Sequence, residues 1–284
     1  MWLSGHWRLS QDARTIGSRM SNAGMVGMEL AAREILSVCE TLDEDQWRLP
    51  SAASGWSVQD VVVHEACLLG DLIAAVGGEA LPDLKIEALN DIQVDEKRDW
   101  TSGQVVDLFQ RQLNKALGAF APLQDEPLAS VETQMLDLGA YPLHSIADMF
   151  TFDMTAHLRY DVLKPRGPID QDLPPLNEAV LGPSVSWLLG GLPKMQPALP
   201  QSISGPIALH LTGPAAARFV ISVVDGAISV TPVTDAEHDA AATVTSSTSD
   251  FLAWSTKRLP WQPLVTIDGS RDVAQRFLNA INLI

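Results

Sequence analysis

Apolar residues recur at intervals of three and four along four stretches of the chain, the spacing that lines one face of an α-helix. The first, over residues 23–44, carries Met25, Met28, Leu30, Ile35, Leu36, Val38 and Leu42. Leu49-Pro50 and Ser54-Gly55 then break the chain. The second stretch opens at Ser57, where Ser57-Val58-Gln59-Asp60 sets a hydroxyl and a carboxylate at the spacing of a reciprocal N-cap. An apolar run from Val58 to Val76 follows, and Gly77-Gly78 ends it. Thr101-Ser102-Gly103-Gln104 repeats the capping pattern ahead of Val105, Leu108, Phe109, Leu113, Ala116, Leu117 and Phe120, with Pro122 as the stop. The fourth stretch starts near Ser145, with Asp148 at the capping distance, and runs through Met149, Phe150, Met154, Leu158 and Val162 to Lys164-Pro165. Four helices of this length predict an antiparallel bundle. A shorter fifth helix is expected around Asn177–Leu189, inside a proline-rich region (165–206) that resists regular structure.

Past residue 200 the rhythm changes. Pro206–Leu211, Ala217–Val224 and Ile228–Val233 alternate in parts, and Val224-Asp225-Gly226-Ala227 is a hairpin signal. Thr243–Thr245 and Leu264–Ile267 read as strands; Ser249–Arg258 and Ser270–Ile281 read as helices. The expected organisation is a flexible extension over 1–20, a helical bundle with its linker over 21–200, and a small α+β domain over 201–284. In that last domain, helices should cover one face of an antiparallel sheet.

Composition narrows the function classes. The formal charge of −16 repels nucleic-acid phosphates and anionic lipid surfaces, so neither is expected as a partner. No apolar run reaches the roughly 20 residues of a membrane span, and no signal-peptide pattern opens the chain. Cys39 and Cys67, the two cysteines, lie among apolar residues without a C-x-x-C, which fits core thiols in a reducing cytoplasm.

Of six histidines, His64 and His157 fall inside predicted bundle helices. Asp153 precedes His157 by four residues, so the two share a helix face and can aim at a common atom. His64, from a facing helix, would complete a set of two imidazoles and a carboxylate. Such donors suit zinc, nickel or iron(II), and three protein ligands leave coordination positions open. Spacing alone leaves the alternative of hydrogen-bonded core histidines. His6 and His238 are expected in solvent, and His144 and His210 in structural roles. No G-x-S-x-G, P-loop or G-x-G-x-x-G occurs.

The stretch Gly55-Trp56-Ser57-Val58-Gln59-Asp60-Val61-Val62-Val63-His64 resembles the Gly-Trp-Ser/Thr-x-x-Asp-x-x-x-His motif of the DinB/YfiT-like superfamily. Phe152-Asp153-Met154-Thr155-Ala156-His157-Leu158-Arg159-Tyr160-Asp161, with Lys164-Pro165, is similar to the second metal motif of the mycothiol-dependent maleylpyruvate isomerase family. Phe219–Gly226 resembles that family's sterol-carrier-protein-like partner domain. Together the likeness spans most of residues 21–284. It implies a DinB-like four-helix bundle followed by a small sterol-carrier-like α+β domain. It also implies a divalent ion, zinc by expectation, on His64, Asp153 and His157, with mycothiol as the thiol cosubstrate.

The implied activity is isomerisation or S-transfer on a small electrophile, through a thiolate generated at the metal. The alternatives are a hydrolase using metal-bound water and a non-catalytic metal- or lipid-binding module. Arg258 is expected as a catalytic substrate clamp, Arg159 as a second substrate-binding cation, and Asp161 as an outer partner of His157. Trp56 reads as a hydrophobic staple at the helix entrance. Two departures stand out: Asp153 replaces a glutamate, and Asp161 lies one residue further from His157 than in many members. A monomer or homodimer is expected.

Overall fold

The computed structural model describes residues 9–233 and 239–283. Helix α1 (Leu9–Cys39) is followed by the single turn α2 (Glu44–Trp47), α3 (Val58–Val76), α4 (Ile86–Asp95) and α5 (Ser102–Phe120). A two-stranded ribbon, β1 (Glu132–Gln134) and β2 (Ala140–Pro142), leads to α6 (Ser145–Ala156), and α7 (Glu178–Met195) completes the helical region. His6 and His238 lie outside the described residues, as does part of the expected extension. The rest of that extension, from Leu9, belongs to α1.

Helix α3 is the centre of this region. From Val58 to Leu69 every residue is buried, so this part of the helix has no solvent face. The reciprocal cap forms at its start: Asp60 N donates to Ser57 Oγ at 3.2 Å, and Ser57 N donates to Asp60 Oδ2 at 2.8 Å. The Thr101–Gln104 cap on α5 forms in the same way. Val105, Phe109, Leu113, Ala116 and Phe120 bury one stripe of α5, and the Phe120 ring stacks on Phe150 of α6 at 5.8 Å. Full burial of rings such as these contributes roughly 1.5–3 kcal/mol each over exposure.

Three local expectations are corrected. Ser145 does not cap α6; its hydroxyl donates to Pro142 O, and Asp148 is buried against Gly24 of α1, where an added Cβ would meet Asp148 Oδ1 at 2.3 Å. Helix α7 runs to Met195, six residues past the expected end, with Pro183 and Pro193 inside it. Pro183 lacks the N–H that would bond Ala179 O; Gly27 of α1 stands over that oxygen, where a Cβ would lie 2.7 Å away. Helix α4 carries too short a stripe to announce itself.

The C-terminal region contains β3 (Ile207–Thr212), β4 (Ala217–Val224), β5 (Ala227–Pro232), β6 (Ala242–Ser247), α8 (Thr248–Ser255), β7 (Val265–Gly269) and α9 (Arg271–Ala280). The five strands lie in the order β5-β4-β3-β6-β7. Asp225 and Gly226 both have positive φ, at 51° and 80°, as a two-residue hairpin of this twist requires. The sheet is mixed rather than antiparallel. After β5 the chain crosses to the opposite side of β3, so β6 enters parallel to it, with Ile207 beside Ala242. Helix α8 returns toward the helical region, and Tyr160 Oη donates to Ser249 O at 3.0 Å. No helix among the described residues is long and apolar enough to cross a membrane.

Candidate metal centre

Polar residues on a stretch of helix with no solvent face must find partners inside the protein. Gln59 donates from Nε2 to Trp100 O, and Asp60 serves the cap and accepts from Arg98 Nη1 at 2.9 Å. The next two polar residues of α3, His64 and Glu65, face α6.

His64 Nε2 lies 3.2 Å from Asp153 Oδ2, and His157 Nε2 lies 3.8 Å from Asp153 Oδ1. His64 Nδ1 has no hydrogen-bond partner among the described residues, and neither does either carboxylate oxygen of Glu65. One donor atom from each of His64, Glu65, Asp153 and His157 falls within 4.8 Å of the others. The structure thus brings the three expected ligands together and adds Glu65. Two imidazoles and two carboxylates, with both Glu65 oxygens and His64 Nδ1 buried and unpartnered, fit a divalent cation.

His157 sits where α6 widens into a π-helical turn, His157–Val162, closed by Leu163 N donating to Leu158 O across five residues. Asp161, on the same turn, brings Oδ2 to 3.0 Å from His157 Nδ1, an ion-pair distance without hydrogen-bond alignment. Arg258 donates to Asp161 Oδ2 from Nε at 3.1 Å and Nη2 at 3.0 Å, and Arg166 donates to Oδ1 from Nη1 at 2.8 Å.

Charge follows from these contacts. Burial works to raise Asp161, but the His157 contact and the Arg258 charge outweigh it and hold the carboxyl down at about 2. Burial likewise works against Asp153, and the His64 hydrogen bond with the two imidazoles keeps it below the usual carboxylate range. Glu65 has no such relief. Burial and the Asp153 charge push it well up, against a smaller opposing effect of Arg258.

The histidine pair forms one wall of a cavity of about 440 Å³, also lined by Trp56, Trp187, Arg166 and Arg258. Trp56 holds its ring 5.0 Å from His64 and 6.2 Å from His157, with Nε1 donating to Asp91 Oδ1 at 3.1 Å. It is therefore a wall of the site beyond any stapling role. A narrow apolar recess runs on from the cavity past Leu68, Ile86, Leu138 and Met149.

Arg258 reaches the cavity, but Asp161 occupies it. Arg159 is not brought there. Its guanidinium turns to α1 and donates to both carboxylate oxygens of Glu34, from Nη2 at 2.7 Å to each, because the helix face it occupies points away from His157. His144 contacts Ala129 O through Nδ1 at 2.8 Å, and His210 lies on β3; neither lines the cavity. Glu65, Arg166 and Trp187 were missed from sequence. A glutamate inside an unbroken buried run was the available signal for the first.

The family model described as the mycothiol maleylpyruvate isomerase N-terminal domain matches residues 28–159. The crystal structure of the mycothiol-dependent maleylpyruvate isomerase has the same fold, with a TM-score of 0.54 over 89% of this chain and 92% of that one at 16% identity. A histidine-to-alanine mutant of that isomerase aligns with the same TM-score and coverage at 15% identity. Sterol Carrier Protein 2 Like 2 from Aedes Aegypti aligns over 34% of this chain and 92% of its own, at 19% identity and a TM-score of 0.28. No curated protein matches the chain in sequence.

Proposed function

With residues 28–159 a member of the mycothiol maleylpyruvate isomerase N-terminal domain family, we propose that the chain is a divalent-metal-dependent enzyme that uses a low-molecular-weight thiol on a small electrophile. The convergence of His64, Asp153 and His157 at the wall of the 440 Å³ cavity carries this reading. These three residues would hold the ion, with zinc as the first candidate and mycothiol as the thiol. A divalent cation there supplies the positive charge that lets a thiol, ordinarily of pKa about 8.5, ionise at neutral pH.

The chain's own residues prepare the site. Asp161 faces His157 Nδ1 and keeps Nε2 turned toward Asp153. Trp56 shields His64 from water on one side. Arg258 comes from the C-terminal domain, here taken as beginning near residue 200, and so closes a cavity built by the bundle. Arg258 and Arg166 share Asp161, which leaves less positive charge for a multiply charged anion and favours a substrate with an apolar portion for the recess. The reaction is isomerisation or S-transfer. The buried free thiols of Cys39 and Cys67 fit a reducing cytoplasm.

Metal analysis of the purified protein should find about one divalent ion per chain. Adding mycothiol to the cobalt-substituted protein should produce a thiolate-to-cobalt charge-transfer band. Protein that stays metal-free in zinc-supplemented buffer refutes the reading. A loaded protein without the band favours a hydrolase using water.

A further inference from the structure

Glu65 is the residue this site does not yet explain. It is fully buried, and both carboxylate oxygens lack hydrogen-bond partners among the described residues. Ile35, Val38, Val61 and Leu158 line the space beside it with the Cys39 thiol, and no group on that side hydrogen-bonds its carboxyl. On the other side one of its oxygens lies within 4.8 Å of a donor atom of each of His64, Asp153 and His157. A buried carboxyl takes up a proton or is paired, hydrogen-bonded or coordinated. A protonated Glu65 would still leave its O–H without an acceptor, and coordination is the arrangement that uses both its orphaned oxygens and the clustered donor atoms beside it.

We propose that Glu65 is a fourth protein ligand of the ion held by His64, Asp153 and His157. The centre is then a two-histidine, two-carboxylate site rather than the three-ligand set that the sequence motifs imply. The inference rests on the metal reading above.

Two consequences follow. Two carboxylates cancel the formal charge of a divalent ion, whereas a single one leaves a net positive centre. Four protein ligands also fill a tetrahedral ion, while an ion that takes five or six ligands keeps positions free for substrate. Oxygen donors suit manganese better than a histidine-dominated set does. Glu65 therefore shifts the relative preference toward such ions, on top of the general order in which zinc binds more tightly.

The test uses the full chain, stripped with chelator and titrated calorimetrically with Zn²⁺ and with Mn²⁺, as wild type and as Glu65→Gln. The expected result is at least a tenfold loss of Mn²⁺ affinity in the variant and a smaller loss for Zn²⁺. In the Co²⁺-loaded forms, the visible bands of Glu65→Gln should intensify as coordination number falls. Affinities within twofold of wild type and an unchanged cobalt spectrum overturn the proposal while leaving the metal reading intact. A wild type that binds neither ion overturns both. Should Glu65→Gln not fold, Glu65→Asp shortens the arm by one methylene, and unchanged affinities with an unchanged spectrum in that variant overturn the proposal equally.

Discussion

Arg258 and Asp161 form a buried, two-donor ion pair, with Nε and Nη2 of the arginine at 3.1 and 3.0 Å from one carboxylate oxygen. The pair joins the end of α8 to the turn that carries His157. Only 10% of the arginine side chain and 4% of the aspartate side chain are exposed, so water can replace neither partner easily. Arg258→Ala should cost about 1–3 kcal/mol in urea unfolding and lower turnover as well. Arg258→Lys should recover only part of either, because the single nitrogen of a lysine cannot set two N–H groups on one oxygen as the planar guanidinium does. Arg159→Ala makes the contrast. It breaks the pair with Glu34 and should lower stability by about 1 kcal/mol, leaving thiol binding to the cobalt form unchanged.

Loss of His64 and loss of Asp161 should differ in degree. Asp161→Asn removes the charge facing His157 Nδ1, and equilibrium dialysis should show metal affinity falling ~10–100-fold. His64→Ala removes a donor outright and should fall further. Equal affinities in His64→Ala and wild type would contradict the site assignment.

Gly167 should not tolerate a side chain. A Cβ there would lie 2.2 Å from the carbonyl carbon and oxygen of Val162 and 2.6 Å from Asp161 O. These are backbone atoms and cannot swing aside. Gly167→Ala should cost about 1–3 kcal/mol in thermal or urea unfolding and should displace Arg166 from Asp161.

Asp148 gives stability a pH dependence of its own. Burial pushes its carboxyl from the ordinary 3.8 up to about 8. Between those values the folded state holds a proton that the unfolded state has lost, so stability falls as pH rises. The slope from this one group reaches ~1.4 kcal/mol per pH unit. Asp148→Asn should flatten that part of the profile between pH 4 and 8, measured by urea unfolding at several pH values. A variant with the wild-type slope would contradict the assignment.

Local rules written in adjacent residues were legible in the sequence. The Ser57–Asp60 and Thr101–Gln104 caps, the α5 stripe and the Asp225-Gly226 turn each depend on side chains a few positions apart. Periodicity put Asp153 and His157 on one helix face but left core histidines open; the motif resemblance through Trp56, Asp60 and His64 supplied the set, whose donor atoms cluster in the structure. What was not legible depends on distant partners. The parallel pairing of β3 with β6 follows from a crossover that no local pattern records. Asp148 has cap spacing, yet packs on Gly24 because α1 passes close by. Pro183 stays in a helix because Gly27 makes room beside the carbonyl it leaves unbonded. Arg159 and Arg258 look alike in sequence, and only packing turns one to Glu34 and the other to Asp161. Glu65 was hidden by abundance, since one acid among 35 carries little signal.

The π-helical turn bears on how such a site is inherited. A turn closed across five residues houses one residue more than an α-turn. His157 and Asp161 therefore face each other across a local widening, and the helix upstream, with Asp153 on it, keeps its phase. A residue added or removed here would be taken up by the winding of this one turn, because the chain runs extended from Leu163. Alignments that place a gap at this point would pair residues by count; pairing them by winding would match those that face the same histidine.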